Sequence, residues 1–359
     1  MALALWLRNL PTRIWSKNHS HSLILDEQTF RYELARERMR VDRNGSPLAI
    51  LIIELPANRA THRDVGFLCR VLLRRLRITD TIGFLSERRV GVLLPDTSKS
   101  GAWKVASDIC SVYPIGHDRP NCDVLIYPEE GPWHRDGSVH PEQEPVGNET
   151  ALGVEALLTQ PMPVWKRAID VVGAVAGLCV AAPLLLVLGF AVKLSSRGPI
   201  FYAQEREGLG GRRFLIYKLR TMRMGAERHQ SALRDYSIQD GPAFKMHDDP
   251  RTTWIGRWLR RTSLDELPQL WNVLRGEMSL VGPRPLPTVE SLQCEPWQRQ
   301  RLSVLPGMTC IWQCWGRNTV TFEQWMRMDL QYVRQRSLAY DLQLLVSTGP
   351  SLVLARGPR

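Results

Sequence analysis

Two adjacent acids, Asp265 and Glu266, stand in the stretch 251–285, RTTWIGRWLRRTSLDELPQLWNVLRGEMSLVGPRP. Arginines surround them: Arg257, Arg260 and Arg261 before, Arg275 and Arg284 after. Paired carboxylates can supply a nucleophile, a base or a metal ligand, and guanidinium forks match phosphate oxygens. Together they point to chemistry on phosphates. Ser263 and Asp265 are both plausible N-caps, because Leu267, Leu270, Trp271 and Leu274 follow at helical spacing. A helix start presents unpaired N–H groups and the positive end of a dipole, so it keeps a carboxylate ionised and attracts phosphate. The same residues also fit a capping box, in which Glu266 would only bond back to Ser263. Pro268 weighs against that register, since a helix beginning at Ser263 puts its ring beyond the first turn. Spacing alone leaves catalysis and structural capping both open.

The elements that must position these acids can be read around them. In 204–222, QEREGLGGRRFLIYKLRTM, Gly208, Gly210 and Gly211 make a turn between two apolar strands, and the second strand runs into Lys218 and Arg220. A Gly-rich turn beside arginine is a weak phosphate signal, and a solvated basic strand end fits it too. In 252–261, Trp254, Ile255, Trp258 and Leu259 share one helix face, with Arg257, Arg260 and Arg261 turned away. Such a helix lies in a membrane interface or packs on a core. The run 171–192 has 22 residues without a charge, about 33 Å of helix against a hydrocarbon core of ~30 Å. Pro183 interrupts it, and Lys166, Arg167, Lys193 and Arg197 flank both ends. Basic flanks place both ends on the cytoplasmic side, and residues 171–182 reach only about 18 Å, in but not through. The expectation is a re-entrant helical hairpin broken at Pro183 within a membrane segment 168–194. A buried helix of a soluble protein is the alternative.

The 359 residues allow two domains, and a formal charge of +11 suits nucleic acid, anionic lipid or phosphorylated substrates. No zinc-finger, homeodomain or RRM pattern is present, so no nucleic-acid partner is expected. Seven scattered cysteines argue against a disulfide framework, and Cys310 and Cys314 lack a second pair for zinc. The opening MALALWLRNLPTRIW is too short and interrupted for a convincing signal peptide. Residues 25–127 have the pattern of a compact α+β unit. Helices are expected over 26–40, 64–76 and 98–111, and strands over 47–55, 81–85, 89–94 and 123–127. Residues 129–162 are rich in Pro, Gly, Glu and His without an apolar period, which predicts a flexible linker between domains 1–128 and 163–359.

Several runs resemble the signature of the bacterial sugar transferase family, the monotopic polyprenyl-phosphate phosphoglycosyl transferases. They are KLRTM (218–222), DDPR (248–251), IGR (255–257), SLDELPQL (263–270) and SLVGPRP (279–285). LPGMT (305–309), WGRN (315–318), Asp329, Tyr332, Ser337 and Asp341 match downstream motifs. The resemblance spans 165–351. The family's hairpin usually carries Ser-Pro at its break, and here Ala182 replaces the serine. The first region resembles a degenerate GGDEF, nucleotide-cyclase-like domain, with Ser86-Glu87-Arg88-Arg89-Val90-Gly91 where that family carries its metal-binding acids. The implied fold is α+β: a mainly helical monotopic membrane catalytic domain with a re-entrant hairpin, preceded by a small α/β sandwich of regulatory role.

The resemblance implies transfer of a sugar 1-phosphate from a UDP-sugar to polyprenyl phosphate, at the cytoplasmic face of the inner membrane, opening exopolysaccharide-, capsule- or O-antigen-type assembly. Asp265 would attack the β-phosphorus and form an aspartyl-phosphosugar, with release of UMP. Mg²⁺ would be held by Asp265 and Glu266, and Glu266 would either assist that binding or activate the lipid phosphate. Lys218, Arg220, Arg257, Arg284 and Arg317 would bind phosphates. Further copies of the chain or downstream glycosyltransferases are the expected protein partners. A non-catalytic membrane adaptor is the rival reading, and the intact acid pair and GPRP run argue against it.

Overall fold

The computed structural model describes residues 24–55, 62–86, 88–112, 120–128, 154–229, 231–246, 249–315 and 320–353. They fall into two compact units that divide between Leu158 and Thr159. In the first, the elements run α1 (Glu27–Asn44), β1 (Leu48–Glu54), α2 (His62–Arg75), β2 (Thr81–Ser86), β3 (Arg89–Pro95), α3 (Lys99–Val112), β4 (Asn121–Tyr127) and α4 (Val154–Leu157). The four strands pair antiparallel in the order β2-β3-β1-β4. Alternation along β1 feeds two cores: Leu48, Ile50 and Ile52 meet Phe30 and Leu34 of α1, while Ala49, Leu51 and Ile53 meet Leu68, Leu72, Ala106 and Ile109 of α2 and α3. The sheet is therefore sandwiched between helices, as its alternating apolar strands demand. Glu87 of the hairpin turn and residues 129–153 of the expected linker lie outside the described residues. The end of that expected linker is packed structure: Val154 and Leu157 of α4 are buried against the α1 side of the sheet.

The second unit begins with α5 (Val164–Ser195), a single helix of 32 residues, about 48 Å long. Pro183 lies inside it without ending it, so the break expected there is not a break in the helix. A proline removes one hydrogen bond, and the flanking turns carry the helix across the gap. Among the described residues α5 is the one helix long and apolar enough to cross a membrane, and only 17% of its most apolar stretch is buried, unlike the core helix of a soluble protein. Its basic flank does not face outward. Lys166 is buried, donating to Asp341 Oδ2 (2.6 Å), the Tyr332 hydroxyl (3.0 Å) and the Val281 carbonyl (2.9 Å). Arg167 donates to the carbonyls of Val273 and Leu274, both at 2.8 Å.

After α5 come the hairpin β5 (Phe201–Glu207) and β6 (Arg213–Leu219), then α6 (Trp254–Thr262), α7 (Gln269–Arg275), β7 (Ser279–Val281) and α8 (Thr288–Ser291). Next are β8 (Gly307–Thr309), parallel to β7, then α9 (Ile311–Trp315), α10 (Phe322–Gln335) and α11 (Leu338–Val353). The apolar stripe expected on α6 divides. Ile255 and Leu259 pack with Leu188, Val192 and Leu219, while Trp254 and Trp258 are exposed. Gly282 and Gly307 let β7 and β8 close: a Cβ on Gly307 would stand 2.0 Å from the Gly282 nitrogen. This contact aims the loop that carries Arg284.

Candidate active site

Neither Ser263 nor Asp265 is the N-cap of α7. Ser263 is left-handed (φ 58°) and closes α6, Leu264–Glu266 is a 3-10 turn, and α7 starts only at Gln269, with Pro268 before it and no side-chain cap. The acids therefore sit on a tight turn between two helices, and nearby side-chain charges replace the helix-end field expected from spacing. α7 is fixed against the hairpin by the buried Asn272, which donates to the Leu215 carbonyl (2.7 Å) and accepts from the Tyr217 N–H (3.1 Å). That clamp brings the end of β6 to the turn. Lys218 Nζ lies 3.0 Å from Glu266 Oε1. From the other side Arg284 forks onto Glu266, NH1 to Oε2 at 3.3 Å and NH2 to Oε1.

The two acids differ sharply. Burial works to raise Glu266, but the charges of Arg284 and Lys218 and their hydrogen bonds outweigh it and hold the carboxyl well below its ordinary range. Asp265 is 7% exposed, and among the described residues nothing hydrogen-bonds to its carboxylate. Burial and the charge of Glu266 push it up to about 6, against the pull of Lys218, Arg260 and Arg284. Glu266 is thus a fixed anion, and Asp265 is an unbonded carboxylate ionised at neutral pH. A buried, unencumbered carboxylate facing cations is suited to nucleophilic attack.

The predicted phosphate-binding residues fare differently. Lys218 and Arg284 join the acids. Arg220 does not: its NH2 donates to the Ser196 carbonyl (2.7 Å) and hydroxyl (3.0 Å), at the end of α5. Arg220 lies one residue past the end of β6, its N–H donating to the Ile200 carbonyl at 2.9 Å, and there the end of α5 captures its side chain. Arg257 is exposed on α6, and Arg260, one turn on, faces Asp265 instead, with Nε donating to Thr221 Oγ1 at 3.0 Å. Arg317 and Asp248 lie outside the described residues. Asp249 and Arg251 form a buried pair at 2.7 Å, and Arg301 with Asp329 another at 2.8 Å. Arg301 also donates to the Arg284 carbonyl, so this second pair holds the Arg284 loop.

Among the described residues no group of three or more His, Cys, Asp or Glu side chains could hold a metal ion. Both Glu266 oxygens are taken by Arg284 and Lys218, and of the two acids only Asp265 has oxygens without a partner among the described residues. One carboxylate beside a phosphate-binding field fits Mg²⁺, which is commonly held by one or two carboxylates plus substrate oxygens.

Residues 162–355 match the model of the bacterial sugar transferase family, and the chain belongs to that family. It is 40% identical over 196 residues to the galactosyl transferase CpsE of Streptococcus agalactiae, covering 54% of this chain and 43% of that protein. It is 42% identical over 198 residues to the UDP-glucose:undecaprenyl-phosphate glucose-1-phosphate transferase of Caulobacter vibrioides, covering 52% of this chain and 69% of that one. A solved DGC protein from Thermotoga maritima superposes on 30% of this chain at 17% identity, with a TM-score of 0.28.

Proposed function

We propose that the chain is a phosphoglycosyl transferase that moves a hexose 1-phosphate from a UDP-sugar to polyprenyl phosphate, the opening membrane step of a surface-glycan assembly. The observation that carries this reading is Asp265, buried and, among the described residues, without a hydrogen bond to its carboxylate, beside a Glu266 locked by Lys218 and Arg284. An Asp265 oxygen attacks the β-phosphorus, the bond from that phosphorus to the bridging oxygen breaks, and UMP leaves with the electron pair. A polyprenyl phosphate oxygen then attacks the same phosphorus and displaces the Asp265 carboxylate, giving the polyprenyl diphosphate sugar. Lys218 and Arg284 hold phosphate oxygens as charge moves, and Glu266 keeps both cations in place between turnovers. Asp265 would hold Mg²⁺, which would supply charge neutralisation on the diphosphate.

A re-entrant course for α5 in the inner membrane, with the helix bending at Pro183 without ending there, is supported by its two ends. Lys166 at the start and Val192 near the close both pack on this one unit, so a spanning helix would carry one of them to the far side. The exposed Val172, Val180, Leu186 and Phe190 then face lipid. The first unit, a helix-covered sheet whose hairpin reads Ser86-Glu87-Arg88-Arg89-Val90-Gly91 in place of the cyclase-like family's metal-binding acids, serves as a regulatory module. The decisive experiment mixes protein in nanodiscs with UDP-sugars and no acceptor. UMP appears at up to one equivalent, and the peptide containing Asp265 carries a phosphosugar. Release of UMP only after both substrates have bound, with no adduct, refutes the two-step reaction.

A further inference from the structure

The β5–β6 hairpin brings a second guanidinium to the site. Register pairs Tyr202 with Lys218, Gln204 with Ile216 and Arg206 with Phe214, and side chains two apart share a face. The face that delivers Lys218 to Glu266 therefore also carries Arg206. Its NH1 donates to the Pro285 carbonyl at 2.8 Å, immediately after Arg284, and its NH2 to Gln204 Oε1 at 2.7 Å. Its Nε is buried without a partner. Arg251, Arg284, Arg299 and Arg301 each have a carboxylate within ion-pair distance, whereas among the described residues Arg206 has none. Arg284 is the charge that bears on it most strongly, and burial together with that repulsion lowers its pKa to about 10, with Glu290, Tyr202 and Glu266 opposing.

Two like charges brought to one loop, with the Glu266 carboxylate bonded to Arg284 and Lys218 and not to Arg206, cost stability and are relieved by an anion. Lys218, Arg206, Arg260 and Arg284 outnumber Asp265 and Glu266 by two, and Glu290 near Arg206 offsets one of these. We propose that Arg206 is a further phosphate-binding residue, the second guanidinium of a two-arginine clamp formed with Arg284. The proposal rests on the transferase reading for the phosphate's origin, but the clamp itself concerns only a phosphate group. A guanidinium has five N–H donors, and two bonds to neutral acceptors leave Arg206 the rest for oxygens of a donor diphosphate or of a lipid phosphate.

The test titrates inorganic pyrophosphate, UMP and a short-chain prenyl phosphate into the full chain in nanodiscs by calorimetry, for wild type, Arg206→Gln and Arg206→Lys. Losing charge-assisted bonds weakens pyrophosphate roughly ten- to a hundredfold in Arg206→Gln. Arg206→Lys, which keeps charge but loses the fork, falls between. A loss confined to UMP assigns the clamp to the donor, and a loss confined to prenyl phosphate assigns it to the acceptor. Unchanged affinity for all three probes in Arg206→Gln overturns the proposal and leaves Arg206 only holding the Pro285 carbonyl. Should Arg206→Gln fail to fold, Arg206→Lys decides by the same comparison. If pyrophosphate binding falls as expected while wild type releases no UMP from any UDP-sugar, the clamp stands and the transferase reading fails.

Discussion

Neutralising Glu266 moves the ionisation of Asp265 in a direction that the geometry dictates. Glu266 with Lys218 and Arg284 is a triad of net charge +1, and Glu266→Gln makes it +2 while removing a like charge beside Asp265. Two unit charges about 5 Å apart at an effective dielectric of 20 interact by ~3 kcal/mol. At 1.36 kcal/mol per pH unit that is ~2 units, and solvent screening reduces it to roughly one or two. Asp265, near 6 in the wild type, therefore titrates closer to an ordinary carboxylate in the variant. If its ionised form attacks phosphorus, single-turnover UMP release falls with acid around pH 6 in wild type. In Glu266→Gln the plateau rate drops, because Lys218 and Arg284 lose their anchor, but the acid limb shifts to lower pH. Rapid quench between about pH 4 and 8 measures both. Lys218→Met should shift the limb the other way. An acid limb that stays put or rises in Glu266→Gln refutes Asp265 as the ionising nucleophile.

Asp265→Asn should abolish turnover and yet raise the melting temperature at pH 7.5. The folded carboxyl titrates above its unfolded value of 3.8, so its ionisation destabilises the fold above about 6 by ~1–3 kcal/mol, and calorimetry should show the gain fading as pH falls toward 4. Asp341→Asn strands the buried Lys166 ammonium and should cost ~3–5 kcal/mol in denaturant unfolding, and Lys166→Met with Asp341→Leu should recover most of it. A chain beginning at Thr159 should still release UMP, because Gln160 donates to Ser303 and belongs with the second unit; total loss in a folded truncation refutes the independence of the units. Single cysteines placed at Gln160 and at Arg197, with native cysteines replaced, should both resist labelling from outside intact cells. Reaction at one of the two means α5 spans.

Periodicity alone determined a good deal. The strands around 48–54, 81–86, 89–95 and 121–127 and the helices flanking them lie within a few residues of expectation, because alternation and helical spacing are local properties of an apolar pattern. The charge-free run 171–192 foretold a long apolar helix left largely uncovered, and the acid pair foretold a cluster with basic side chains. The short-range partners were less legible. Ser263 and Asp265 looked like caps, yet a left-handed Ser263 and the proline at 268 force a 3-10 turn instead. Which basic residues meet the acids was decided only in three dimensions: Arg260 rather than Arg257, Lys218 without Arg220, and Arg206 from a strand 79 residues away from Pro285. Lys166, legible in the sequence only as a basic flank of the apolar run, is buried on Asp341, 175 residues downstream. A sequence states which charges exist, whereas the packing of distant elements decides which of them are desolvated together, and desolvation is what turns a charge into a partner or a reagent.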